Sequence, residues 1–157
     1  HAIAMPQIGP GKGDGDTGHG DHGRARETGE DRDLYAFRTP SLRNVALTGP
    51  WGHSGAYDSL EAVVRHHLDP AASHATYDRT QAKLPSSPSL DPVDFIAHDD
   101  ANESAAIVAA NELQPLALTD AEVDDIVAFL QALTDPETVD LRRFVPSSVP
   151  SGLPVAD

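Results

Sequence analysis

Apolar residues recur at helical spacing in three places along this chain. The clearest is LTDAEVDDIVAFLQALTD, where Val123, Ile126, Val127, Leu130 and Leu133 share one face. Thr119 and Glu122 in front of them form a capping box, so the pattern predicts a helix from about Asp120 to Leu133. A second run, from Ser59 to Leu68, places Leu60, Val63, Val64 and Leu68 at the same period behind a cap at Asp58 or Ser59. His67 lies seven positions after Leu60 and is expected on that inward face, with His66 more to the side. The third run, ANESAAIVAANE over residues 101–112, is Ala-rich and predicts a short helix with a weak stripe through Ala105, Val108 and Ala109.

The rest of the chain has no period of either kind. Residues 1–33 are rich in Gly, Asp and His and then charged, which reads as loop. The following stretch to Ser59 is dense in Pro, Gly, Ser and Thr, yet carries Tyr35, Phe37, Leu42, Val45, Leu47 and Trp51 as apolar anchors. Such a segment is expected to wrap a ligand or core as ordered coil. Residues 69–100 read as a long connection, and the proline-rich tail 136–157 as extended chain with Leu141, Phe144 and Val145 as docking points.

Composition narrows the function. The 157 residues suit one domain, and 13 Pro with 12 Gly mark it as loop-rich. Eleven basic against 25 acidic residues give a formal charge of −14, which disfavours nucleic acid and anionic lipid and favours a basic partner. With no cysteine, the chain has no disulfide, thiolate metal site or C-x-x-C-H haem attachment of its own. No apolar run approaches the ~20 residues of a membrane helix, and the opening residues show no basic stretch followed by an apolar one, so no address is read from them. Beginning at His1 rather than Met, it is expected to lack upstream sequence. Hydrolase, kinase and dehydrogenase motifs are absent.

Four segments in order, HAIAMPQIGPGKG, FRTPSLRNVALTGPWGHSGAY, LEAVVRHHLDP and LTDAEVDDIVAFLQALT, resemble the C-terminal haem domain of bacterial di-haem cytochrome c peroxidases, including their methylamine-utilisation branch. The resemblance covers most of residues 1–135, and its specificity lies in the many typed positions of FRTPSLRNVALTGPWGHSG. It implies a mainly α, class I cytochrome c-like helical domain, loop-rich and incomplete at its N-terminus, because the C-x-x-C-H motif of such domains would lie before His1. Residues 1–135 would form that portion and 136–157 the tail. Two haem c groups are implied in the parent chain, one six-coordinate and storing an electron, the other open to peroxide.

The same resemblance assigns roles by position. His67 falls where the family places a Met, or in the methylamine-utilisation branch a Tyr, as distal ligand of the C-terminal haem; His66 competes for the role. Read from spacing alone, a hydrogen-bonded core histidine explains His67 better than a ligand does, and the resemblance brings the two readings level. Thr48 and Pro50 lie where main-chain carbonyls bind calcium between the haems, though an ordinary proline turn explains them too. Arg43 resembles the arginine that faces haem propionates, and otherwise reads as solvated. His53 falls near the peroxidatic haem and domain interface, a possible catalytic orienter or a surface loop histidine, and Trp51 is a packing anchor beside it. Asp14, Asp16, His19, Asp21 and His22 offer metal donors but match no known loop pattern, so they are expected to be flexible and solvated.

The leading expectation is therefore part of a peroxidase that reduces hydrogen peroxide, or oxidises a substrate through high-valent haem iron, inactive as an isolated piece. Its partners would be the N-terminal haem domain of the parent chain and an electron donor such as a small cytochrome or cupredoxin. A periplasmic location is implied by the resemblance alone, with no nucleic acid and no membrane insertion. The rivals are a non-peroxidatic electron-transfer di-haem cytochrome and a calcium-binding or docking module built on the acidic loop and the 69–100 connection.

Overall fold

The computed structural model describes residues 1–146 and 148–152. Its helices are α1 (Ala25–Thr28), α2 (Leu60–Leu68), α3 (Pro70–Ala75), α4 (Ile96–Asp99), α5 (Ala101–Ala109) and α6 (Asp120–Ala132). Among the described residues, extended pairing is limited to the isolated bridges Asp14 with Gly20, Gly23 with Ala36, and Trp51 with Tyr57.

The long helices start where their sequences supply a cap. Ser59 accepts the Ala62 amide at the head of α2, and Asp100 accepts those of Asn102 and Glu103 at the head of α5. Thr119 and Glu122 make both halves of the capping box in α6, which ends one residue before the expected Leu133. The 69–100 stretch is not a plain connection: Asp69 caps α3 with Pro70 in its first turn, 3₁₀ turns follow at Arg79–Gln81 and Asp91–Val93, and α4 closes it. These elements are too short to carry a readable period. The tail expected over 136–157 makes 3₁₀ turns at Pro136–Thr138 and Arg142–Phe144; residues 147 and 153–157 lie outside the described residues. Leu141 and Phe144 are exposed there rather than docked into the core.

The core is organised around the first residues of the chain. Ala2, Ala4, Tyr35, Ala36 and Ile107 are buried together, with Leu34, Ala106, Val108 and Ala110 packed against them. α5 therefore turns Ile107 and Ala106 inward, while the expected stripe residues Ala105 and Ala109 face solvent. Successive carbonyls of the opening segment accept from distant partners: His1 from the Phe37 amide (3.0 Å), Ala2 from the Glu112 amide (2.9 Å), Ile3 from His66 (2.7 Å) and Ala4 from His74 (3.0 Å). This extended strap meets the requirement that buried backbone polar groups be paired, without belonging to any sheet.

The Gly/Asp/His segment is ordered, contrary to expectation. Buried Gln7 donates to the carbonyls of His19 and Gly9 and accepts the Asp21 amide, so its amide holds the loop from inside. Asp14 accepts the His22 amide (2.9 Å) and pairs with Arg26 (2.6 Å), which holds its carboxyl below the usual range. Gly23 sits at φ +58°, and a Cβ there would lie 2.5 Å from the Ala36 carbonyl oxygen. Gly23→Ala is expected to destabilise the protein by about 2 kcal/mol, from the left-handed backbone and that clash together. Urea denaturation of the full-length protein checks this, and an unchanged midpoint would refute it.

Candidate functional site

α2 packs on both α3 and α6, and the Val45–Leu47 turn packs on α6. Within α2 the two adjacent histidines differ completely. His66 is fully buried, and His67 is exposed. The expectation of an inward His67 and a lateral His66 is thus reversed. His67 does lie on the Leu60 side of the helix, being about 20° short of two full turns further on. Leu60 is covered and His67, on the same side near the other end of the helix, is not.

Hydrogen-bond direction fixes both tautomers. His66 Nε2 faces the Ile3 carbonyl at 2.7 Å, and a carbonyl only accepts, so Nε2 carries the proton. Its Nδ1 is then the acceptor, with the Tyr57 hydroxyl at 2.8 Å and Ser73 Oγ at 3.0 Å. Both ring nitrogens are committed, and burial pushes the His66 pKa down to about 4. His66 is therefore a poor candidate for a ligand. His67 Nδ1 donates to the Val63 carbonyl, one turn back, at 2.7 Å, which leaves the Nε2 lone pair directed away from the helix backbone. A ring nitrogen tied to a carbonyl with the other left open is the usual state of a metal-ligating histidine.

His74, which the sequence did not single out, is a second buried histidine of the same kind. Nδ1 donates to the Ala4 carbonyl and Nε2 accepts from Ser104 Oγ at 2.7 Å, and burial lowers its pKa. Nothing in the ASHA stretch marks it, because its burial depends on α3 packing against α5.

The remaining expected residues are placed as follows. Arg43 pairs with Asp135 at 2.8 Å on the exposed surface, and Asn44 accepts the Asp135 amide and donates to the Leu133 carbonyl. The SLRN segment thus docks on the end of α6. Trp51 Nε1 donates to the Val45 carbonyl at 2.7 Å, closing the loop that holds Thr48 and Pro50, both exposed. His53 Nε2 meets buried Asp21 at 3.0 Å, and its ring stacks on Phe37 at 3.5 Å, so it is an oriented and half-buried histidine. No group of three or more metal-binding side chains occurs among the described residues. α2, α6 and the Val45–Leu47 turn present His67, Phe129 (59% exposed) and Leu47 (54% exposed) outward. Of the α6 stripe only Val123 is fully buried. No helix among the described residues is long and apolar enough to cross a membrane.

The architecture is that of a loop-rich, cytochrome c-like helical domain with an open histidine at the end of one of its packed helices. Comparison with known proteins specifies it further. The chain is 34% identical to "Methylamine utilization protein MauG" of Paracoccus denitrificans over 134 residues, covering 82% of this chain and 29% of that protein. It is 30% identical to "Cytochrome-c peroxidase IdrP1" of Denitromonas iodatirespirans over 74% of this chain and 23% of that one. A stretch of 45 residues is 49% identical to "Cytochrome c551 peroxidase" of Pseudomonas aeruginosa, 29% of this chain and 13% of that protein. No protein-family profile matches, and no solved structure matches. The chain belongs to the MauG-like di-haem peroxidase family, and it spans less than a third of the length of these relatives.

Proposed function

We propose that this chain is the part of a di-haem peroxidase that encloses the electron-transfer haem and supplies its distal ligand through His67 Nε2. The observation that carries this reading is the hydrogen bond from His67 Nδ1 to Val63, which orients the ring and leaves Nε2 open beside solvent. The outward apolar side chains of Phe129 on α6, which packs on α2, and of Leu47 on the turn that packs on α6 suit the face of a porphyrin. Haem c, when bound, supplies one-electron storage for reduction of hydrogen peroxide at a second haem. His67 would hold the iron, Val63 would hold the imidazole, and buried His66 and Val64 would keep α2 seated. A nitrogen donor in place of the thioether should give this haem a lower potential than a Met/His one.

The full reading places residues 1–135 in the haem domain and 136–157 in a tail, with the N-terminal haem domain of the parent chain as partner. Main-chain carbonyls of the exposed Thr48 and Pro50 would hold calcium between the haems. The charge of −14 suits a small donor protein, a cytochrome or cupredoxin, that presents a basic face in the periplasm.

Absorption and EPR spectra of the full-length protein beside its His67→Ala variant test this. The expected result is loss of one low-spin bis-histidine signal. Unchanged spectra would remove His67 from the iron.

A further inference from the structure

His66 stands next to the proposed ligand in the chain, points to the opposite environment, and is held more firmly than any other side chain of α2. Three separate segments grip its ring: the Ile3 carbonyl of the opening strap at 2.7 Å, the Tyr57 hydroxyl from the turn before α2 at 2.8 Å, and Ser73 of α3 at 3.0 Å. The Tyr57 and Ser73 oxygens also lie 3.0 Å apart, so two hydroxyl protons are shared among three contacts around His66 Nδ1. Tyr57 is itself anchored by backbone pairing with Trp51 in both directions, and its ring packs edge-on against Tyr77. Tyr77 donates its hydroxyl to the Ala56 carbonyl.

We infer that Tyr57, Ser73 and Ile3 act through His66 to set the rotation of α2 about its axis, and thereby aim His67. His66 and Tyr57 are positioning residues for the distal ligand. α2 has only nine residues, its outer side is open around His67, and Arg65 at its surface reaches no further than Glu61 and Asp120. Apolar contacts through Leu60 and Val64 permit rolling, because they are non-directional, whereas the hydrogen bonds at both nitrogens of one imidazole do not. A roll of about 10° would displace a side-chain tip some ~6 Å from the helix axis by ~1 Å, which is large against the tolerance of an iron–nitrogen bond. The bond from His67 to Val63 fixes the ring relative to the helix, and the hydrogen bonds of His66 fix the helix relative to the domain.

This inference rests on His67 being the distal ligand, and the experiment separates the two. The measurements are EPR g-values and the midpoint potential of the low-spin haem in the full-length holoprotein, for wild type, Tyr57→Phe, Tyr57→Phe/Ser73→Ala and His67→Ala. Tyr57→Phe keeps the ring and its packing and removes one hydroxyl, so it is the variant expected to fold. The expected result is a graded shift of g-values and potential, small in the single and larger in the double variant, with the low-spin signal retained in both. Loss of that signal only in His67→Ala, with Tyr57→Phe and the double variant indistinguishable from wild type in g-values and potential, would overturn the positioning role while leaving His67 as ligand. Retention of the signal in His67→Ala would overturn both.

Discussion

Replacing His74 with leucine is expected to destabilise the protein by about 3 kcal/mol, although the side chains have similar volume. Leucine fills the space but leaves the buried Ala4 carbonyl and the half-buried Ser104 hydroxyl without their partner. Each orphaned buried group costs about 1–3 kcal/mol, more than the added apolar area returns at a site already filled. Denaturant unfolding of the full-length protein measures it. A His74→Leu variant as stable as wild type would show that the strap does not depend on this histidine.

The second large effect is on acid stability. Burial lowers the pKa of His66 to about 4 and lowers those of His74 and His98 as well, against 6.5 in the unfolded chain. Below pH 6.5 the unfolded chain therefore takes up protons that the folded protein refuses. Stability is fully present above 6.5 and falls as pH falls, by up to about 1.4 kcal/mol per pH unit per histidine. For His66 alone the loss by pH 4 is about 3 kcal/mol. Carboxylates with lowered pKa, such as Asp14 beside Arg26 and Asp78 on the Thr80 amide, add to the loss only below their ordinary 3.8. Urea midpoints from pH 7 to pH 4.5 should decline steadily, and a flat profile over that interval would contradict the buried, neutral state of these rings.

What the sequence disclosed follows the range of the interactions concerned. The capping box at Thr119 and Glu122 and the Ser59 cap of α2 are local, and both helices begin where they announce. The family was legible in FRTPSLRNVALTGPWGHSG, because many typed positions in fixed order carry more information than periodicity. Burial was less legible. Counting from Leu60 placed His67 on the correct side of α2, but whether that side is covered at a given turn depends on tertiary neighbours: Leu60 is buried there and His67 exposed. The polar interior was hardly legible, beyond the reading that a histidine of α2 is a hydrogen-bonded core residue. Gln7, Asp21, His66, His74 and Glu103 are buried because backbone carbonyls, amides and a tyrosine hydroxyl from remote segments meet them, and hydropathy ranks all five as surface residues.

The strap formed by the first residues bears on how this domain assembles. Its partners enter the chain late: Ile3 waits for a side chain 63 positions on, Ala4 for one 70 positions on, and the Ala2 amide for Glu112, 110 positions on. Loops of that length make closure slow, and a ribosome delivers the strap well before anything that can hold it. Until α2, α3 and α5 have emerged, HAIAMPQ is an extended, largely apolar segment with unpaired backbone groups, the kind of chain that chaperones cover and that aggregates recruit.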